Sequence, residues 1–149
     1  PDALPSLSSG LASWYADRFH GRRTASGEPY SRYEMTAAHR HLPLGTLLHV
    51  SNPETGVGVV VRVNDRGPFH GDRVIDVSRA AASALGLVQV GVGHVDIRLP
   101  SSEEASAFAW RLAEAAKRPV AQRAPRRVAV PRKPPTRQPA RPAVRRPKQ

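Results

Sequence analysis

Val57-Gly58-Val59-Val60-Val61-Arg62-Val63-Asn64-Asp65-Arg66-Gly67-Pro68 is the stretch on which the reading of this chain turns. A β-branched run entered through the turn signal Asn52-Pro53-Glu54-Thr55-Gly56 and closed by Gly-Pro reads as a strand. Side chains alternate across a strand, which places Val59, Val61, Val63 and Asp65 on one face and Arg62, Asn64 and Arg66 on the other. Asp65 then ends an apolar row, where partial desolvation favours the protonated form that a general acid needs. An ordinary loop opening at Asp-x-Gly-Pro fits the same spacing equally well.

Outward from this strand the punctuation stays that of a small β domain from Gly10 to Pro100, with short apolar runs between Gly, Pro and Asn clusters. Strands are expected at 11–15, 47–51, 57–63, 73–77 and 92–99, the second and third joined as a hairpin. A short helix fits 78–85, capped by Ser78 and ended by Gly86. A second fits 102–118, opened by a capping box of Ser101 and Glu104, with Ala105, Phe108, Ala109, Leu112, Ala113 and Ala116 on a stripe expected to pack against the body, a solvent-exposed spacer being the alternative that this small, alanine-rich face allows. Residues 1–9 read as a linker. The fold class is mainly β, a small barrel followed by a C-terminal helix.

The 149 residues carry 23 Lys plus Arg against 12 Asp plus Glu, and no cysteine, which excludes disulfides, thiolate metal sites and a cysteine nucleophile. The positive charge is not spread evenly. Residues 1–100 hold 10 basic and 9 acidic side chains, and residues 101–149 hold 13 and 3. A nearly neutral body does not read as a nucleic-acid-binding domain. Residues 119–149, with eight prolines, ten Lys or Arg and no acid, are expected to be disordered and to serve as a tether or as an arm that attracts anionic polymers. The chain opens on Pro1 without a cationic start and apolar run, so any targeting segment lies outside this sequence. No apolar stretch is long enough to span a bilayer.

Several chemistries lack their motif. Of six histidines, His39 and His41 form a bare His-x-His without His-Glu-x-x-His, and no phosphate loop or Gly-x-Ser-x-Gly elbow is present. Neither a metal site nor a cofactor is expected. The remaining polar candidates are Glu28, in the rigid loop Ser26-Gly27-Glu28-Pro29-Tyr30, and His39 in Thr36-Ala37-Ala38-His39. Trp14, Tyr15, Phe19, Tyr30 and Tyr33 cluster near Glu28, as the flat wall of a carbohydrate site would, although core packing is the stronger reading for Trp14.

Taken together, Gly10-Leu11-Ala12-Ser13-Trp14-Tyr15, Phe19-His20-Gly21-Arg22-Arg23-Thr24-Ala25-Ser26-Gly27-Glu28, Thr36-Ala37-Ala38-His39, Leu42-Pro43-Leu44-Gly45-Thr46, Val61 through Phe69 and Asp72 through Ser78 resemble the rare lipoprotein A (RlpA) family over about residues 10–99. The resemblance implies a six-stranded double-psi β-barrel and a lytic transglycosylase of the periplasm or cell envelope. Such an enzyme acts on peptidoglycan glycan strands stripped of stem peptides and leaves 1,6-anhydromuramic acid ends. Carried over by position, Asp65, Glu28 and His39 become the catalytic candidates, and Trp14, Tyr15, Thr24, Tyr30, Asn64 and Arg66 the candidate sugar-binding residues. The chain is expected to act as a monomer, with no specific nucleic-acid partner. It departs from the family pattern at Ala16, where glycine is usual, and in having no cysteine to carry a lipid. An Arg/Pro-rich stretch also stands where many relatives carry a peptidoglycan-binding repeat. A non-catalytic expansin-like module that holds cell-wall glycan in the same groove is the alternative from another functional class, and fold does not separate the two.

Overall fold

The computed structural model describes residues 6–117, so the Arg/Pro-rich stretch 119–149 lies outside the described residues. The strands are β1 (Ser6–Trp14), β2 (Thr36–Ala38), β3 (Leu47–Ser51), β4 (Gly58–Asp65), β5 (Arg73–Val77) and β6 (Gly93–Arg98). Helix α1 (Arg79–Leu85) follows β5, and α2 (Ser102–Ala116) follows β6. The sheet closes on itself in the order β1-β5-β2-β4-β3-β6. Its β1–β5 and β2–β4 pairs are parallel and the others antiparallel. This is the six-stranded double-psi barrel that the resemblance implies.

Alternation builds the core directly. Leu48 and Val50, Val61 and Val63, Ile75 and Val77, and Val95 and Ile97 stand two apart on four strands, and all are buried inside the barrel. Each such side chain contributes about 1.5–3 kcal/mol of burial. Ala81, Ala82 and Leu85 of α1 extend this core. That helix begins where Ser78 Oγ accepts from the Ala81 amide and stops at Gly86, which takes the left-handed conformation at φ 75°. The hairpin between β3 and β4 is pinned from within: Asn52 Oδ1 accepts the Glu54 amide at 3.0 Å, and Asn52 Nδ2 donates to the Leu85 carbonyl at 2.8 Å.

Three expectations change. The first strand starts at Ser6, inside the stretch read as linker, because residues 6–10 pair with β6 although their own sequence has no apolar alternation. Strand β2, Thr36–Ala38, carries no β-branched run and is held by neighbours on both sides, β4 and β5. Helix α2 has the expected capping box, but none of its residues is buried. Instead of packing flat, it forms one wall of a groove of about 690 Å³, opposite Val59, Val60 and Met35 of the barrel. Ala109 and Leu112 stay exposed, and Trp110 is 66% exposed.

What keeps α2 in place is ionic. Arg98 donates both terminal nitrogens to Glu104, at 2.7 and 2.9 Å, and His49 Nε2 lies 3.2 Å from the same carboxylate. The Arg98 bond and the Ser101 amide together hold the Glu104 carboxyl down to about 2. Burial pushes His49 below its ordinary value, with Arg98 adding to the effect and Glu104 opposing it. The Cε1–Nε2 edge of its ring lies against Gly58, where a Cβ would stand 2.3 Å from Cε1.

Candidate active site

The pairing of β2 with β4 slips by one residue between Ala37 and Ala38, so that Ala37 faces Val63 but Ala38 faces Asp65. Asn64 is the extra residue. A bulge of this kind reverses the side-chain parity beyond it. Asp65 therefore leaves the inward row of Val61 and Val63 and joins the outer face. That overturns the simple alternation, which placed it with the valines.

On that outer face a polar row crosses four strands. Asp65 and Asp76 both stand opposite Ala38, and Asp76 stands opposite Ser13 on β1. Ser13 Oγ donates to Asp76 Oδ1 at 3.1 Å, and Arg73 donates to Ser13 Oγ at 2.9 Å. Burial raises the Asp76 carboxyl, with Ser13 and Arg73 opposing and Asp65 adding to the rise. The sequence reading passed over Asp76. Its signal was the position between the core residues Ile75 and Val77, where alternation alone puts an acid on the outer face.

Asp65 is half-buried but not lined by hydrocarbon, contrary to expectation. Oδ2 accepts the Tyr15 hydroxyl at 2.6 Å, and Oδ1 accepts the amides of Ala25 and Arg66, each at 2.9 Å. Burial first, and then the bond to Asp65, push the Tyr15 phenol far above its ordinary value, so it holds its proton. Tyr15 stacks on Tyr30 with ring centroids 4.4 Å apart. Tyr30 is 2% exposed and accepts the Arg79 amide on its hydroxyl, so it backs Tyr15 and offers little face to a sugar.

The loop from 23 to 29 folds into a tight turn, closed by a bridge between Arg23 and Pro29, and docks on the end of β4 through the Ser26 amide and the Asn64 carbonyl. Thr24 is buried in this turn and donates its hydroxyl to the Glu28 carbonyl at 2.7 Å. Glu28 itself turns to Arg62, which donates to Oε1 in a short ion pair. Burial would raise the Glu28 carboxyl, but Arg62, Asn64 and Ser26 outweigh it and hold it below its ordinary value. Asn64 adjoins Glu28, and its Nδ2 is buried without a hydrogen-bond partner among the described residues. Glu34 goes the other way, raised by burial and then by Glu28.

His39 follows β2, and its amide reaches the Asp65 carbonyl at 3.2 Å. Its Nδ1 accepts the amides of His41 and Leu42, both at 3.2 Å, which assigns the ring proton to Nε2. Burial lowers this histidine, helped by His41, Arg66 and Arg40, so the neutral ring is favoured. Arg66 spends its guanidinium on the carbonyls of His39 and Leu42, at 3.3 and 2.7 Å, and secures that loop. Trp14 packs half-buried against the core, with the Arg79 guanidinium 5.3 Å from its ring.

Backbone contacts bring His39 and the 23–29 turn to the C-terminal end of β4, but the three candidate side chains turn to different partners: Asp65 to Tyr15, Glu28 to Arg62 and His39 to its own loop. Beside Asp65 lies a cavity of about 250 Å³, walled by Tyr15, Phe19, Thr24 and Tyr30, with Arg22 and Arg23 at its edge. Glu28 and His39 do not line it. Among the described residues no three His, Asp or Glu side chains come close enough to hold a metal ion, and no helix is long and apolar enough to cross a membrane.

Residues 7–97 match the family described as lytic transglycolase. The endolytic peptidoglycan transglycosylase RlpA of Neisseria meningitidis serogroup A is 56% identical over 89 residues, 60% of this chain and 37% of that protein. The protein of the same name from Vibrio cholerae is 53% identical over 91 residues, 61% of this chain and 35% of its own. The chain thus spans between about a quarter and a little over a third of the length of the curated relatives it matches. Among solved structures, an apo expansin of Clavibacter michiganensis superimposes with a TM-score of 0.51 at 22% identity, covering 63% of this chain and 50% of its own, which shows a shared fold.

Proposed function

The chain belongs to the lytic transglycolase family, and from that premise we propose that it cleaves the glycan strands of peptidoglycan without water, leaving 1,6-anhydromuramic acid ends. The observation that carries this reading is the state of the Asp65 carboxyl. Oδ1 is filled by two backbone amides, whereas Oδ2 takes a single donor and keeps a lone pair for the cavity.

In the proposed cycle Asp65 gives a proton to the glycosidic oxygen as the bond to C1 of muramic acid breaks, and the bonding pair leaves with that oxygen. The C6 hydroxyl oxygen of the same sugar then closes on C1 and returns its proton to Asp65. One carboxyl serves both steps, unlike the paired carboxylates of hydrolytic glycosidases. Tyr15, protonated, orients Oδ2. Glu28, held low beside Arg62, supplies negative charge near the developing oxocarbenium ion. His39 presents an Nε2–H for a sugar hydroxyl. Asn64, buried beside Glu28, helps to keep that carboxyl low, while Thr24 and Arg66 hold the loops.

We place the activity at the periplasm or cell envelope, where the substrate is, and in a monomer. Incubation with peptide-free glycan strands followed by mass analysis should give fragments lighter by one water than hydrolysis products. Retention of the strands with no fragments at all would leave an expansin-like binding module.

A further inference from the structure

The barrel segment, residues 6–100, contains ten arginines, and seven have a side-chain partner. Arg32 and Arg79 meet Asp17, Arg62 meets Glu28, and Arg98 meets Glu104. Arg40, Arg66 and Arg73 donate to carbonyl or hydroxyl oxygens. The three that donate to nothing among the described residues are Arg18, Arg22 and Arg23, all within one six-residue stretch beside the Asp65 cavity.

These cations are also gathered together. Arg18 and Arg22 bring their guanidiniums to 5.0 and 5.2 Å from the centre of the same Phe19 ring, and Arg23 lies along Gly27 with Nη2 3.5 Å from where a Cβ would stand. Arg22 and Arg23 line the cavity itself. The nearest acids are already engaged: Asp17 by two other arginines, and Asp65 by Tyr15 and two amides. Cations without an acidic partner gain Coulomb attraction and hydrogen bonds when a bound anion joins them. Guanidinium is also the side chain best shaped for a planar carboxylate.

A neutral polysaccharide would have no use for such a cluster. Resting on the glycan-cleaving reading above, we propose that Arg22 and Arg23, with Arg18 at the rim, form a subsite for a sugar-borne carboxylate, namely the free lactyl group of a muramic acid residue that carries no peptide. A peptide amide at that position removes the charge, so the subsite selects by charge as well as by size.

The test uses the full chain and two forms of one peptide-free glycan preparation: native, and with the lactyl carboxylates converted to methylamides. Initial cleavage rates and binding of labelled strands are measured at an ionic strength high enough to screen the attraction between free carboxylates and the Arg/Lys-rich stretch 119–149. The native strands should be favoured by about tenfold or more, the scale of one good charge contact. Arg22→Gln combined with Arg23→Gln should bring that ratio close to one while the thermal midpoint stays in place. Equal use of both strands by the unaltered chain overturns the subsite. So does a double variant that loses equally on both, or competition by polyphosphate as effective as by the free-acid strand. If neither strand is cut, the cleavage reading fails and the binding ratio alone decides the subsite.

Discussion

The hollow beside Asp65 holds about 250 Å³ and the groove beneath α2 about 690 Å³, yet the proposed chemistry belongs to the smaller one. Around Asp65 the polar atoms are pinned by backbone amides, a stacked pair of tyrosines and the docked turn 23–29. Around the groove the walls are mainly apolar, and one of them is a helix with no buried residue, attached by the cluster of Arg98, His49 and Glu104. Volume measures how much space two elements leave between them. Pre-organised charge measures what a site can do with a substrate.

The strongest way to break this contrast is Asp65→Asn. Loss of the only proton carrier should lower cleavage by roughly 100- to 10,000-fold, the span usual for a general acid–base, while the unfolding midpoint barely moves because Asn still accepts an amide. An Asn variant that cuts glycan at an undiminished rate removes the mechanism. Tyr15→Phe is the next step down. It deletes one hydrogen bond, about 0.5–1.5 kcal/mol, and should slow cleavage by up to about tenfold with little change in strand binding.

The groove should behave in the opposite manner. Glu104→Gln keeps the capping box but removes the ion pair to Arg98, so stability should fall by about 0.5–1 kcal/mol, read by Trp110 fluorescence and helical circular dichroism, with the cleavage rate unchanged. A large loss of activity would show that the two hollows are coupled, through Arg62, which lines the groove and holds Glu28. The smallest effect is one of pH. Glu104 is lowered when folded, so its stabilising contribution is complete above its ordinary 4.5 and drains away as pH falls toward about 2. His49, also lowered, adds to the loss below its ordinary 6.5, because the unfolded chain takes up that proton more readily. Acid titration should therefore loosen α2, seen at Trp110, before the barrel opens.

The barrel was readable where a strand carries its own apolar alternation. Leu47–Ser51 and Arg73–Val77 came out with the bounds the structure has, as did the caps at Ser78, Gly86 and Ser101. Strand β2 was not, since Thr-Ala-Ala has no preference that a reader could use and takes its form from two neighbours. Glu28, His39 and Asp65 were singled out by residue type and context, but their partners were hidden. That Arg62 would reach Glu28, that Tyr15 would bind Asp65 fifty residues away, and that Tyr30 would be buried behind it are consequences of closure. Local spacing holds no record of such contacts. The cluster Arg18, Arg22 and Arg23 was visible as letters, and only the pairing of the other seven arginines made it conspicuous.

The slipped register at Asn64 is a one-bit switch set by whether that residue joins the ladder. If Asn64 paired in register, unbroken alternation would rotate the acid by half a turn, into the hydrocarbon interior; with Asn64 set aside as the extra residue, the acid faces outward opposite Ala38. No arrangement lies between these two, so the facing of the strand-end acid is chosen whole or not at all.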